Sequence, residues 1–157
     1  MKTNKAKVLL VDDSKADQIV IQRALEDGNI DCDISLADNG SMALQYLKHE
    51  KAYPDTGSFL TPDLILLDIN MPVLDGLSTL REIRSDTQLR HFPVIMLTTS
   101  NREKDVYESY DAGVNAYLIK PIETSDFVNV VQQLENFWFN LVVLPTHYDN
   151  IKDKAYE

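Results

Sequence analysis

The run Leu64-Ile65-Leu66-Leu67 halts at a carboxylate, Asp68, and Asn70, Pro72, Asp75 and Gly76 follow at once. An unbroken apolar run of this length, stopped by turn-forming residues, suits a strand buried on both faces. Such strands belong to parallel sheets covered by helices, which bind their ligands at the carboxyl ends of the strands. Asp68 is therefore the first candidate for chemistry, and the stretch from Thr61 to Gly76 is the frame for the rest of the chain.

The same pattern recurs on both sides of it. Lys7 to Val11 reads as a buried strand ending in Asp12 and Asp13. Ser14 and Asp17 supply a cap and an early carboxylate for a helix, whose apolar positions Ile19, Val20, Ala24 and Leu25 recur at helical spacing. Gly28 stops that helix at about Asp27, and Asp33 to Ala37 reads as a half-buried strand. Asn39 and Gly40 turn into a second helix striped by Met42, Ala43, Tyr46 and Leu47. Glu50 to Thr61 lacks periodicity and carries Pro54 and Gly57, so it is expected to be a long surface loop. A third helix contains Leu77, Leu80 and Ile83, and Pro93 to Leu97 forms a fourth strand ending in Thr98. Ser100 and Glu103 have capping-box spacing and are expected to open a fourth helix, closed by Gly113. Ala116 to Ile119 is the fifth strand, ending in Lys120 and Pro121. A last helix is expected from near Thr124–Asp126 to about Val142, with Phe127, Val130, Val131, Leu134, Phe137, Trp138 and Leu141 as its core stripe. Five alternations of strand and helix imply an α/β fold, a doubly wound five-stranded parallel sheet with five helices.

Composition narrows the function. A net charge of -10 and the lack of any basic run argue against nucleic-acid binding and against an anionic membrane surface. The basic start, Met1 to Lys7, leads into only Val8 to Val11, too short for a signal-peptide core. Cys32 is the single cysteine, which excludes an internal disulfide. These features suit one cytoplasmic domain.

In a parallel sheet the strand ends share an edge, so Asp12, Asp13, Asp68, Thr98 and Lys120 are expected to converge. Clustered carboxylates repel one another, and a hard divalent cation relieves the conflict; oxygen-only ligation favours Mg²⁺. Lys120 offsets remaining charge, and the Thr98 hydroxyl can donate to an oxyanion. A carboxylate can act as a nucleophile toward phosphorus, with a metal neutralising the transferred oxygens.

Taken together, Asp12-Asp13, the stretch from Asp68 to Gly76, Thr98 and Lys120-Pro121 resemble the receiver domain of two-component response regulators, over residues 6–143. The resemblance implies the flavodoxin-like receiver fold with strand order 2-1-3-4-5, and a C-terminal tail over 144–157. It implies Asp68 as phosphoacceptor, with Mg²⁺ held by Asp13, Asp68 and the Asn70 backbone carbonyl and by Asp12 largely through water. Lys120 would pair with Asp68 and then with the phosphoryl oxygens, its bond to Pro121 being cis. Thr98 and Tyr117 would form the switch, read out on the face of the fourth helix, fifth strand and fifth helix. The implied partner is a sensor histidine kinase. The long loop before the third strand, Met96 to Ser100, Gly113 to Tyr117 and the terminal Phe137-Trp138 to Pro145 resemble single-domain regulators paired with phytochrome-type kinases. Thr99 departs from the family pattern, where a smaller residue is usual, as do the loop and the extended last helix.

Several readings stand beside this one. The end of the last helix, Phe137, Trp138, Phe139, Leu141, Val142, Val143 and Leu144, is apolar nearly all round and is expected to form an interface, as a homodimer or a kinase-docking surface. The tail folding back over it is the plainer alternative. Tyr107 and Tyr110 are read as half-buried packing, and His49, His91 and His147 as surface residues. A phosphorelay intermediate fits the same residues. A Mg²⁺-dependent phosphohydrolase would need a general acid two residues after the nucleophile, where Asn70 stands, and a scaffold would not need the acceptor set.

Overall fold

A computed structural model describes residues 5–28, 31–53, 61–120 and 123–145. The expected cis bond to Pro121, most of the Glu50–Thr61 loop, the tail beyond Pro145 and the Phe127 side chain lie outside the described residues. The elements run β1 (Ala6–Val11), α1 (Lys15–Glu26), β2 (Cys32–Ala37), α2 (Gly40–Leu47), β3 (Leu64–Leu67), α3 (Gly76–Ser85), β4 (Val94–Thr98), α4 (Glu103–Asp111), β5 (Ala116–Ile119) and α5 (Thr124–Asn136). All strand pairs are parallel, in the order β2-β1-β3-β4-β5, so the expected fold class stands.

Alternation along the central strands divides the core in two. Leu9, Val11, Ile65, Leu67, Val94 and Met96 face one side, against Leu44 and Leu47 of α2 and Leu80 and Ile83 of α3. Val8, Leu10, Leu64, Leu66, Ile95 and Leu97 face the other, against Ile21 and Leu25 of α1 and Val131 and Leu134 of α5. Each fully buried Leu or Ile contributes about 1.5–3 kcal/mol. The edge strand β2 is met by Tyr53, whose hydroxyl accepts from Leu36 N (2.6 Å) and donates to Leu36 O (2.9 Å).

Helix starts follow local capping chemistry. Ser14 Oγ accepts from Asp17 N, Asn39 Oδ1 from Met42 N, and Asp75 Oδ1 from Ser78 N. The expected capping box at Ser100 and Glu103 does not form. The N-cap is Arg102, without a side-chain hydrogen bond, because the Ser100 hydroxyl is turned to Asp105 Oδ2 at 2.5 Å. Gly113 does end the α4 region, at φ +99, a left-handed conformation that suits glycine.

The last helix also departs from the expected stripe. Its final turn, Phe137–Leu141, is a π-helix (η1), closed by Val142 N donating to Phe137 O at 3.1 Å. The buried line runs Val131, Leu134 and then partly buried Trp138, so Phe137 lies one helical step off it and is 52% exposed. The wider π turn rotates later residues away from α-helical phase, leaving Leu141 70% exposed rather than in the core. Leu144, expected in an exposed interface, is fully buried instead. At Val142 the backbone becomes extended, so side chains alternate, with Val143 outward and Leu144 inward. Phe139 and Trp138 pack partly on the α1–α5 side of the core. The exposed apolar patch therefore reduces to Phe137, Leu141 and Val143.

Candidate functional site

Asp12 follows β1, Asp68 follows β3, Thr98 ends β4 and Lys120 follows β5, all at one edge of the sheet. The ladder sets their level: Val11 pairs with Leu67, Leu67 with Met96, and Thr98 with Ile119. Backbone bonds continue it, from Asp68 N to Val11 O (3.0 Å) and from Lys120 N to Thr98 O (2.7 Å). The turn out of β3 is tight. Gly76 N donates to Ile69 O at 2.8 Å, and a Cβ on Gly76 would collide with the Asp68 carbonyl. Glycine at this position lets α3 start directly against the strand end. Within the same loop Leu74 N donates to Pro72 O (2.8 Å) around Val73, whose φ of 70 is a strained value for a β-branched residue.

Carboxylate oxygens of Asp12, Asp13 and Asp68 all lie within 4.8 Å of one another. Mg²⁺ binds oxygens at about 2.0–2.1 Å, so opposite ligand atoms are about 4.2 Å apart. Small side-chain rotations would meet that spacing, and an all-oxygen donor set suits a hard cation. Asp12 and Asp68 are buried, whereas Asp13 is exposed and offers an opening to solvent. Asn70 is exposed two positions beyond Asp68.

Lys120 is buried and its Nζ donates to three carboxylates: Asp12 Oδ2 at 2.5 Å, Asp17 Oδ2 at 2.9 Å and Asp68 Oδ2 at 3.2 Å. Burial opposes the ammonium charge, but the hydrogen bonds to Asp12 and Asp17 outweigh it and hold the pKa above the ordinary lysine value. For Asp12 burial wins and raises its pKa, against the lowering effect of Lys120 and of Ser14 N, which donates to Asp12 Oδ1 at 2.9 Å. Three carboxylates thus bond one ammonium, and Asp13 lies beside two of them, an excess of negative charge that a divalent cation would offset.

On the other side of Asp68, Thr98 is fully buried and its Oγ1 accepts from Ser100 N at 3.3 Å. Tyr117 packs against the α2–α3 side of the core, and its hydroxyl donates to Ser100 O at 2.9 Å. Burial raises the Tyr117 pKa. Thr98 and Tyr117 thus meet through the backbone of Ser100, a physical link between the strand end and the loop into α4. The structure brings together Asp12, Asp13, Asp68 and Lys120, and joins Thr98 to Tyr117. It adds Asp17, which the sequence marks only as an early helical carboxylate; its spacing from Ser14 reveals the cap but not the reach of Lys120. Tyr107 and Tyr110 of α4, read as half-buried packing, are 72% and 52% exposed. α4 is held at its edge, and Ser109 is its one buried residue among those described.

The family model for the response regulator receiver domain matches residues 8–132. The chain is 40% identical over 138 residues to response regulator Rcp1 of Synechocystis, covering 88% of this chain and 92% of that protein. It resembles the crystal structure of the phosphorylated cyanobacterial phytochrome response regulator RcpA, with TM-score 0.83, 39% identity and coverage of 90% of this chain and 99% of the other. It also resembles the Mn²⁺-bound form of Rcp1, with TM-score 0.81, 39% identity and coverage of 89% and 99%. The chain belongs to the response regulator receiver family.

Proposed function

We propose, with membership of that family as the premise, that this chain takes a phosphoryl group from a sensor histidine kinase onto Asp68. The observation that carries the reading is the Asp68 carboxylate at the sheet edge, 3.2 Å from the Lys120 ammonium and within 4.8 Å of Asp12 and Asp13. In the transfer an Asp68 oxygen attacks the phosphorus of a phosphohistidine. The O–P bond forms, the P–N bond breaks, and the electron pair leaves on the imidazole nitrogen. Asp13, Asp68 and the Asn70 carbonyl would hold Mg²⁺, with Asp12 acting largely through water; a Mn²⁺-bound relative supports a divalent cation here. A cation held by these residues would supply neutralisation of charge on the transferred oxygens. Lys120 supplies the fixed positive charge that receives the phosphoryl oxygens, and the buried Thr98 hydroxyl donates to them. Return to the resting state is hydrolysis, in which water attacks phosphorus, the O–P bond breaks and the Asp68 carboxylate is restored. The chain is an acceptor and switch in this reading rather than an enzyme with a turned-over substrate.

The switch works through Thr98, Ser100 and Tyr117: a phosphoryl group favours the arrangement in which Thr98 reaches it, and α4, β5 and α5 carry the readout. Likeness to phytochrome regulators supports a phytochrome-type kinase as partner. Likeness to response regulator Rcp1 supports a cytoplasmic place for the reaction; among the described residues no helix is long and apolar enough to cross a membrane. Residues 6–143 form the receiver unit. Phe137, Leu141 and Val143, exposed at the end of η1, supply an interface with a second copy; a monomer in sedimentation, phosphorylated or not, would refute the dimer. The main test is labelled phosphoryl transfer from a phytochrome-type histidine kinase with Mg²⁺. Wild type is expected to be labelled and Asp68→Asn not; equal labelling of both would overturn the assignment.

A further inference from the structure

The three carboxylates around Lys120 do not have equal claims on it. A protonated lysine has three N–H donors, and here one goes to each of Asp12, Asp17 and Asp68. An incoming phosphoryl oxygen can be bonded by Lys120 only if one of these partners gives way. Asp12 is fastened twice, to Lys120 and to Ser14 N, and its side chain is 1% exposed. Asp68 is the acceptor itself, and the bond that Lys120 gives it passes to one phosphoryl oxygen, so a second such bond needs a further donor. Asp17 differs from both. It stands on the first turn of α1 rather than on the sheet, and its side chain is 35% exposed, so it can be hydrated when released. Its backbone N–H is held by Ser14 Oγ at 3.2 Å, which keeps it within reach of Lys120.

We propose that Asp17 is a positioning residue that competes with the phosphoryl group for Lys120. In the resting protein it ties up one donor of the ammonium and adds negative charge beside the acceptor. When the phosphoryl group arrives, Lys120 exchanges Asp17 for a phosphoryl oxygen, and the first turn of α1 loses its ion pair to the strand β5 side. Asp17 thereby sets how strongly the phosphorylated state is favoured. The inference rests on Asp68 being the acceptor.

The test uses beryllofluoride, which mimics a phosphoryl group on a carboxylate, titrated into the whole chain at saturating Mg²⁺ and followed by fluorine NMR. Asp17→Asn is expected to bind it about three- to tenfold more tightly than wild type, the range of a partly exposed ion pair to an ammonium. Asp17→Glu keeps the carboxylate and is expected to bind as wild type does. Asp38→Asn removes a nearby charge whose ion pair is with Lys15, at 2.6 Å, and is expected to change little. Unchanged or weaker binding by Asp17→Asn would overturn the competition, as would equal tightening by Asp38→Asn, which would make the effect one of general charge. If wild type itself binds no beryllofluoride, the acceptor assignment fails first and this inference with it.

Discussion

Every residue of β3 and β4 is buried, whereas no residue of β5 is fully buried and α4 buries only Ser109 among its described residues. Asp68 and Thr98 stand at the ends of the two buried strands, so their positions are fixed by the core beneath them. Tyr117 and α4 belong to the lightly covered side, where Tyr107, Tyr110 and Ile119 are exposed. Moving an element that buries little disrupts few apolar contacts, and elements that move in switching come from this low-stability class. The difference teaches how one small sheet can do two jobs. In the proposed reading its centre would hold the chemistry still, and its lightly covered edge would be free to report on it. Lys120 joins the two, since it leaves β5 and ends in buried ion pairs to Asp12 and Asp68.

Lys120 is accordingly where the comparison can be broken most sharply. Removing one member of a buried ion pair strands the other charge and costs about 3–5 kcal/mol. Lys120→Gln is expected to lose stability of that order in urea unfolding without metal. The raised pKa of Lys120, in which hydrogen bonds to Asp12 and Asp17 overcome burial, gives the pH dependence. The folded protein holds this proton more tightly than the unfolded chain. Its stabilisation is complete below the unfolded lysine value of about 10.4 and is lost as pH rises through the folded value. Wild type is expected to weaken over that alkaline window, and Lys120→Gln to lack this part of the decline.

A pair of truncations sharpens the contrast itself. Leu66→Ala, at a fully buried site in β3, is expected to cost about 3 kcal/mol. Tyr110→Ala on α4, where the side chain is 52% exposed, is expected to cost under about 1 kcal/mol. Equal costs in urea titrations would mean that the two sides are not differently built. Mg²⁺ at about ten times its dissociation constant is expected to add about 1.4 kcal/mol to wild type, seen as a rise in melting temperature. Asp13→Asn and Asp68→Asn are expected to lose most of that rise, and a full response in both would place the cation elsewhere. The smallest effect belongs to Tyr117→Phe, which removes the bond to Ser100 O and is expected to cost about 1 kcal/mol or less. Its amide exchange is expected to quicken at the start of α4 and not in β3. A uniform change would show that Tyr117 does not tether that loop.

How far the sequence foretells these features depends on what places each residue. Asp68, Asp12 and Lys120 are legible because each terminates an apolar run, and a parallel ladder brings such ends to one level whatever the loops do. Loop length and side-chain detail do not disturb that inference. Phase along a helix is less secure. Phe137 already lies one helical step off the buried line, one π turn after Asn136 is enough to put Leu141 outside, and the return to extended backbone at Val142 buries Leu144. Apolar periodicity assumes a constant rotation per residue, which the π turn violates. Ser100 fails for another reason: its hydroxyl has two local uses, and Asp105 takes it from the expected cap. Asp17 shows the remaining limit, since the reach of Lys120 across the sheet edge has no signature in spacing.

The most direct measurement of the central claim is the chemical identity of the phosphorylated group. After transfer from the kinase in the presence of Mg²⁺, hydroxylamine lability separates an acyl phosphate from a phosphoester, and reduction with borohydride marks the modified aspartate for peptide sequencing. A hydroxylamine-labile label that maps to Asp68 is the result expected. A stable ester at Thr98, or an acyl phosphate at Asp12 or Asp13 with Asp68 unmodified, would contradict the account.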